Sequence, residues 1–130
     1  MKNADTKYWL VGAAYKGIDH QDEAFVNQGI WMLGWKKGSQ YAKASCISVG
    51  DRIAIKRRLG RAQTGIRIMH IGIVRGVIAG TDKVHCTVNW AATNLDRIVR
   101  KSKGCFKSVH GPYSKSDPDM KQWIEEIFSL

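Results

Sequence analysis

"IRIMHIGIVRGVIAG", residues 66–80, alternates apolar and polar side chains through its first half and is dominated by β-branched residues. That pattern suits a half-buried strand and not a helix. Fifteen residues is long for a straight strand, and Gly72 and Gly76 are where it is expected to bend. After the turn "AGTD" (79–82), "KVHCTVNW" (83–90) returns as the antiparallel partner. Upstream, "DRIAIKR" (51–57) alternates again, with Ile53 and Ile55 on one face and Arg52 and Lys56 flanking them. Between the two runs lies a basic, glycine-punctuated loop, "RRLGRAQTG" (57–65).

Working outward, "KYWLVGAAY" (7–15) is an apolar aromatic run expected to form a buried strand. "DHQDEAFVNQG" (19–29) reads as a short helix, with Asp19 as N-cap, Asp22 and Glu23 in the first turn, and Gly29 as the stop. A second short helix is expected over 39–47, closed by "SVGD". "DPDMKQWIEEIFSL" (117–130) is a third: Asp117 caps it, Pro118 opens it, and Trp123, Ile124, Ile127 and Phe128 recur at helical spacing. A length of 130 residues has room for one core, and no repeat or linker divides it, so a single domain over 1–130 is expected. The fold class is α+β: a curved, mostly antiparallel sheet, closed or nearly closed, with two or three short flanking helices.

Charge narrows the function. The net charge is +10, and residues 51–110 hold 13 basic against 3 acidic side chains. Such an imbalance repels itself unless an anionic partner relieves it, and nucleic acid is the commonest such partner. No signal-peptide pattern opens the chain and no apolar run approaches the ~20 residues of a membrane span, so a soluble cytoplasmic protein without a membrane partner is expected. Cys46, Cys86 and Cys105 are odd in number and lack close spacing, which suggests buried reduced thiols and neither disulfides nor zinc.

Catalytic signatures are missing from the sequence. His20, His70, His85 and His110 are scattered; His70 and His85 fall in the two paired strands, where they can be neighbours. There is no P-loop and no dinucleotide fingerprint, and the basic middle is too poor in carboxylates for a two-metal nuclease. A binding module without cofactor or metal is therefore expected, with a Lys56-based hydrolase of a nucleoside or small molecule as the enzymatic alternative. Lys56, Arg57, Arg58 and Arg61 are the candidates for phosphate contacts. For a base, the candidate planes are Trp31 and Trp35 of "GIWMLGW" (29–35), Tyr15 and Trp9, each of which can equally be core.

The order "YWLVGAAY", "DHQDEAFVNQGIW", "GW" and "VGDRIAIK" resembles the EVE-like domains of the PUA-like superfamily, related to YTH domains. It is most similar to the N-terminal modified-DNA-binding domains of McrB-type restriction GTPases. "IGIVRGV", "VNW" and "WIEEIF" extend the likeness over most of the chain. The resemblance implies a pseudo-barrel that flips a modified base, such as 5-methylcytosine, out of DNA into an aromatic cage, alongside a GTPase or nuclease subunit. It puts one cage wall on Trp31, with Tyr15 and Trp35 as further walls; a helix starting at Asp19 would in addition set Asp19 or Asp22 near the pocket mouth, as the candidate acceptor for an exocyclic amine. YTH domains draw a second cage tryptophan from a later loop, and "RRLGRAQTG" has none, which weakens an RNA methyladenine reading and leaves the cage's other wall unassigned; the alternative is a module reading modified or structured RNA.

Overall fold

The computed structural model describes residues 6–15, 19–33, 39–58, 65–80, 83–100 and 109–130, with Ala14, Tyr15, Asp19, Ser39 and Arg58 described by backbone alone. In chain order the elements are β1 (Tyr8–Val11), β2 (Ala14–Tyr15), β3 (Asp19–His20), α1 (Asp22–Gln28), β4 (Ile30–Leu33), α2 (Ser39–Ala44), β5 (Arg52–Arg58), β6 (Gly65–Ala79), β7 (Val84–Ala92), β8 (Arg97–Arg100), β9 (Val109–Tyr113) and α3 (Pro118–Phe128). The main sheet runs β4-β7-β6-β5-β1-β9, with β8 also paired to β6, and β2–β3 form a separate two-stranded ladder. Every pairing is antiparallel except β1 with β5.

Curvature comes from β6. Its first half pairs with β5 and β8 and its second half with β7. Register shifts interrupt the β7 ladder at Ile71/Gly72 and Val74/Gly76, at the two glycines expected to bend the strand. At Gly72 the backbone lies so close to β7 that an added Cβ would stand 2.5 Å from Val88 Cγ1 and 2.9 Å from Trp90 Cε3. Bulges of this kind raise the local twist, and the sheet curls into a half-barrel.

Both faces of the sheet are buried, so neighbours in one strand serve different cores. Trp9, Ile53 and Ile55 join Trp31, Val74 and Val84 in the first core. Leu10 and Ala54 join Ile66 and Ile68 in the second, under Trp123, Ile124 and Ile127 of α3. Burial on both sides accounts for the unbroken apolar run in β1.

The C-terminal helix forms as its sequence predicts: Asp117 accepts from the Asp119 amide at 3.0 Å, and Pro118 sits in the first turn. Arg97 from β8 donates to the Ile127 carbonyl at 2.9 Å, placing a cation at the helix's negative end. The first helix starts later than expected. Asp19 is not its cap but part of β3, paired with Tyr15, and the Gln21 amide is drawn to the Ala13 carbonyl at 2.7 Å. Gln21 is the N-cap, making no side-chain capping bond to the helix, while Gly29 ends the helix at φ +69° as expected. The second helix covers Ser39–Ala44 and continues as turns to Ile47, which is buried.

Candidate nucleic-acid interface

Two of the expected base-stacking residues are built into the core. Trp9 and Trp31 are both 0% exposed. The Trp9 indole N–H donates to Asp51 Oδ2 at 2.9 Å, and the same oxygen accepts from the Ser48 amide. Trp31 donates to the Gly12 carbonyl at 2.9 Å, which ties β4 to the corner where β1 ends. Beyond that corner come Ala14 and Tyr15, and Tyr15 is the register partner of Asp19. The backbone thus brings together two candidates that the sequence separates by four positions. Trp35 and Arg61 lie outside the described residues, and of Arg58 only the backbone, at the end of β5, is described.

Asp22 is expected near a pocket mouth; it is instead 2% exposed, at the start of α1. Its Oδ1 accepts from Arg57 Nη2 at 2.7 Å and its Oδ2 lies 3.1 Å from His70 Nε2. On the far side of the ring, the Asn94 amide donates to His70 Nδ1 at 3.1 Å. A backbone N–H has only a proton to give, so Nδ1 accepts, and the partners assign the ring proton to Nε2, which donates to Asp22. Both ring nitrogens are thereby engaged. Burial pushes the Asp22 carboxyl up, but the bonds from Arg57 and His70 and the Arg57 charge outweigh it and hold the group below the usual carboxylate value. A cavity of about 280 Å³ opens beside this network, lined by Glu23, Val26, Asn27, His70 and Asn94.

The expected cations divide. Arg57 keeps 32% of its side chain exposed while bound to Asp22. Lys56, expected to reach for phosphates, is only 6% exposed. A register shift between Ile55 and Lys56 interrupts the alternation and sets Lys56 opposite Ile68, a residue of the second core. The two histidines are not cross-strand neighbours: His70 pairs with Ile55 of β5, whereas His85 pairs with Ile78 and Met32. Of the cysteines, Cys86 is buried as expected, its thiol pushed up to about 12 by burial and then by the Asp51 charge, whereas Cys46 is exposed.

Sequence reasoning missed two further arginines. Arg67 stands directly opposite Arg57 on one side and Ile98 on the other, and Arg100 follows two residues along β8. Arg67 is clamped by Asp96, a residue held at φ +53° in the turn before β8. Among the described residues, no group of three His, Cys, Asp or Glu side chains is placed to hold a metal, and no helix is long and apolar enough to cross a membrane.

No family model and no curated protein matches the chain. Among solved structures it is similar to a hypothetical protein from Leishmania major, with a TM-score of 0.55 and 12% identity, over 94% of this chain and 96% of that one. At that identity the likeness is one of fold: an α+β unit with a strongly curled, mostly antiparallel half-barrel sheet and helices outside it.

Proposed function

We propose that this chain is a PUA-like, EVE-type module that binds DNA and accepts a modified cytosine flipped from the duplex, serving a GTPase or nuclease partner in modification-dependent restriction in the cytoplasm. The observation that carries the reading is the backbone register pairing of Tyr15 with Asp19, two candidate residues of complementary type, beyond the corner anchored by Trp31. A base pocket needs those two parts, a plane for stacking and an acceptor for an exocyclic amine. In this reading Tyr15 and Trp35 are the walls, and Trp31 acts from behind as a positioning residue. The basic middle segment supplies the counter-charge to phosphates. Flipping costs a few kcal/mol, and stacking worth about 1–3 kcal/mol per base, with backbone contacts, offsets it.

The test is titration with matched duplexes that differ by one modified cytosine. Tyr15→Ala and Asp19→Asn should each abolish discrimination while leaving salt-sensitive background binding. Discrimination that survives both substitutions removes the pocket from this corner. RNA of equal length, competed at one salt concentration, decides between DNA and RNA.

A further inference from the structure

We propose that the exposed face where β5, β6 and β8 meet is a phosphate track, with Arg57, Arg67 and Arg100 contacting neighbouring phosphates of a nucleic-acid strand; this rests on the nucleic-acid reading above. Arg57 and Arg67 are register partners, and Ile98 continues their row onto β8. Cross-strand partners share a face, and residues two apart along a strand do too, so Arg100 lies on that face about 6.7 Å beyond Ile98. Two like charges directly opposite are destabilising in a free sheet. Here each of the pair is held by its own carboxylate, Arg57 by Asp22 and Arg67 by Asp96.

Those clamps orient the guanidinium forks without consuming them. Each guanidinium has five N–H donors, and one carboxylate engages only part of them, while Arg57 and Arg67 keep 32% and 36% of their side chains exposed. A fork already ordered loses less entropy on meeting a phosphate than a free side chain does. Arg100 is exposed. Ile98, 60% exposed between Arg67 and Arg100, offers an apolar contact to sugar or base. Charge complementarity names the occupant. Residues 51–110, which include all three arginines, carry 13 basic against 3 acidic side chains.

The experiment measures affinity for a fluorescent duplex across about 50–200 mM salt, a range in which phosphate contacts announce themselves as a slope of about −0.9 per contact in log K against log salt. Arg67→Gln combined with Arg100→Gln should reduce the slope by about 1.8 and weaken binding uniformly across sequences. Arg67→Lys with Arg100→Lys should restore most of it. Arg75→Gln and Lys121→Gln, exposed cations on the far half of β6 and on α3, should leave the slope as in the unsubstituted chain. Equal slopes in the double glutamine variant and the parent overturn the track, as does an equal loss in the two controls. An unsubstituted chain that shows no salt-dependent binding overturns the nucleic-acid reading itself. Both replaced side chains are substantially exposed, and a thermal midpoint close to the parent's checks that the fold is kept.

Discussion

Arg57 Nη2 donates to Asp22 Oδ1 at 2.7 Å, joining the first turn of α1 to a strand 35 residues further along the chain. The other carboxylate oxygen meets His70, so one buried acid fastens α1 to both β5 and β6. Asp22→Asn keeps the shape but offers a single acceptor, and its NH₂ then faces Arg57 or His70 donor to donor. Leaving one of those donors unmatched costs about 2–4 kcal/mol. In urea unfolding at neutral pH the midpoint should fall with m unchanged. An unaltered midpoint would show that α1 is held by packing alone.

The same acid makes stability depend on pH. Its folded-state pKa lies below the unfolded value, so its contribution is fully present above the unfolded pKa of about 3.9 and is lost as pH falls towards the folded-state value. Unfolding midpoints of the parent and Asp22→Asn should therefore differ most at neutral pH and converge below about pH 4. A difference that stays constant down to pH 3 argues against an ionised Asp22 in the fold.

Thiol chemistry should separate two cysteines. Cys46 is exposed, whereas Cys86 is buried with its thiol pushed up to about 12, where almost no thiolate exists at neutral pH. A maleimide applied to the native protein should label Cys46 within minutes and Cys86 only after denaturant is added, as read by peptide mass mapping. Equal labelling of the two in the native state contradicts the packing of β7.

The close approach of β6 to β7 at Gly72 depends on a missing side chain. Gly72→Ala sets a methyl 2.8 Å from the Asn89 carbonyl oxygen, which is backbone and cannot swing aside, besides crowding Val88 and Trp90. Overpacking of this kind costs about 1–3 kcal/mol. Gly80→Ala, whose new methyl would meet its nearest neighbour at 3.5 Å, should move the thermal midpoint much less.

What the sequence made legible follows from local chemistry. The cap at Asp117, the proline at 118 and the apolar spacing to Ile127 are written within one helix, and α3 forms as they specify. The pairing of β6 with β7 and the bends at Gly72 and Gly76 are equally local. A register shift is not. Counting by twos along β6 puts His70 with Ile66 and Ile68 in one core, but skipping Met69 in the β5 ladder sets His70 opposite Ile55 and beside Asp22. The same irregularity hides Lys56. Arg67 and Arg100 were overlooked because their significance lies in cross-strand register, which no single stretch contains. Residue type could not assign the tryptophans either: an indole suits a cage and a core alike, and only the hydrogen bonds to Asp51 and Gly12 show where Trp9 and Trp31 are spent.

Trp31 therefore calls for a substitution that spares the core. Trp31→Ala removes a fully buried indole and should cost about 3–5 kcal/mol, a large fraction of the about 5–15 kcal/mol by which a domain is typically stable. Trp31→Phe keeps an aromatic ring and removes the N–H that holds the Gly12 carbonyl. That loss is worth about 1–3 kcal/mol, since the part-buried carbonyl is left without its donor. The released corner leads directly into Tyr15 and its partner Asp19, so the phenylalanine variant should fold, bind plain duplex with an unchanged salt slope, and discriminate less well between modified and plain DNA. A variant destabilised from within the other core by an overlapping amount, Ile124→Val at about 0.5–1.5 kcal/mol, separates position from stability: it should retain full discrimination. If both variants discriminate alike, Trp31 is core and nothing more.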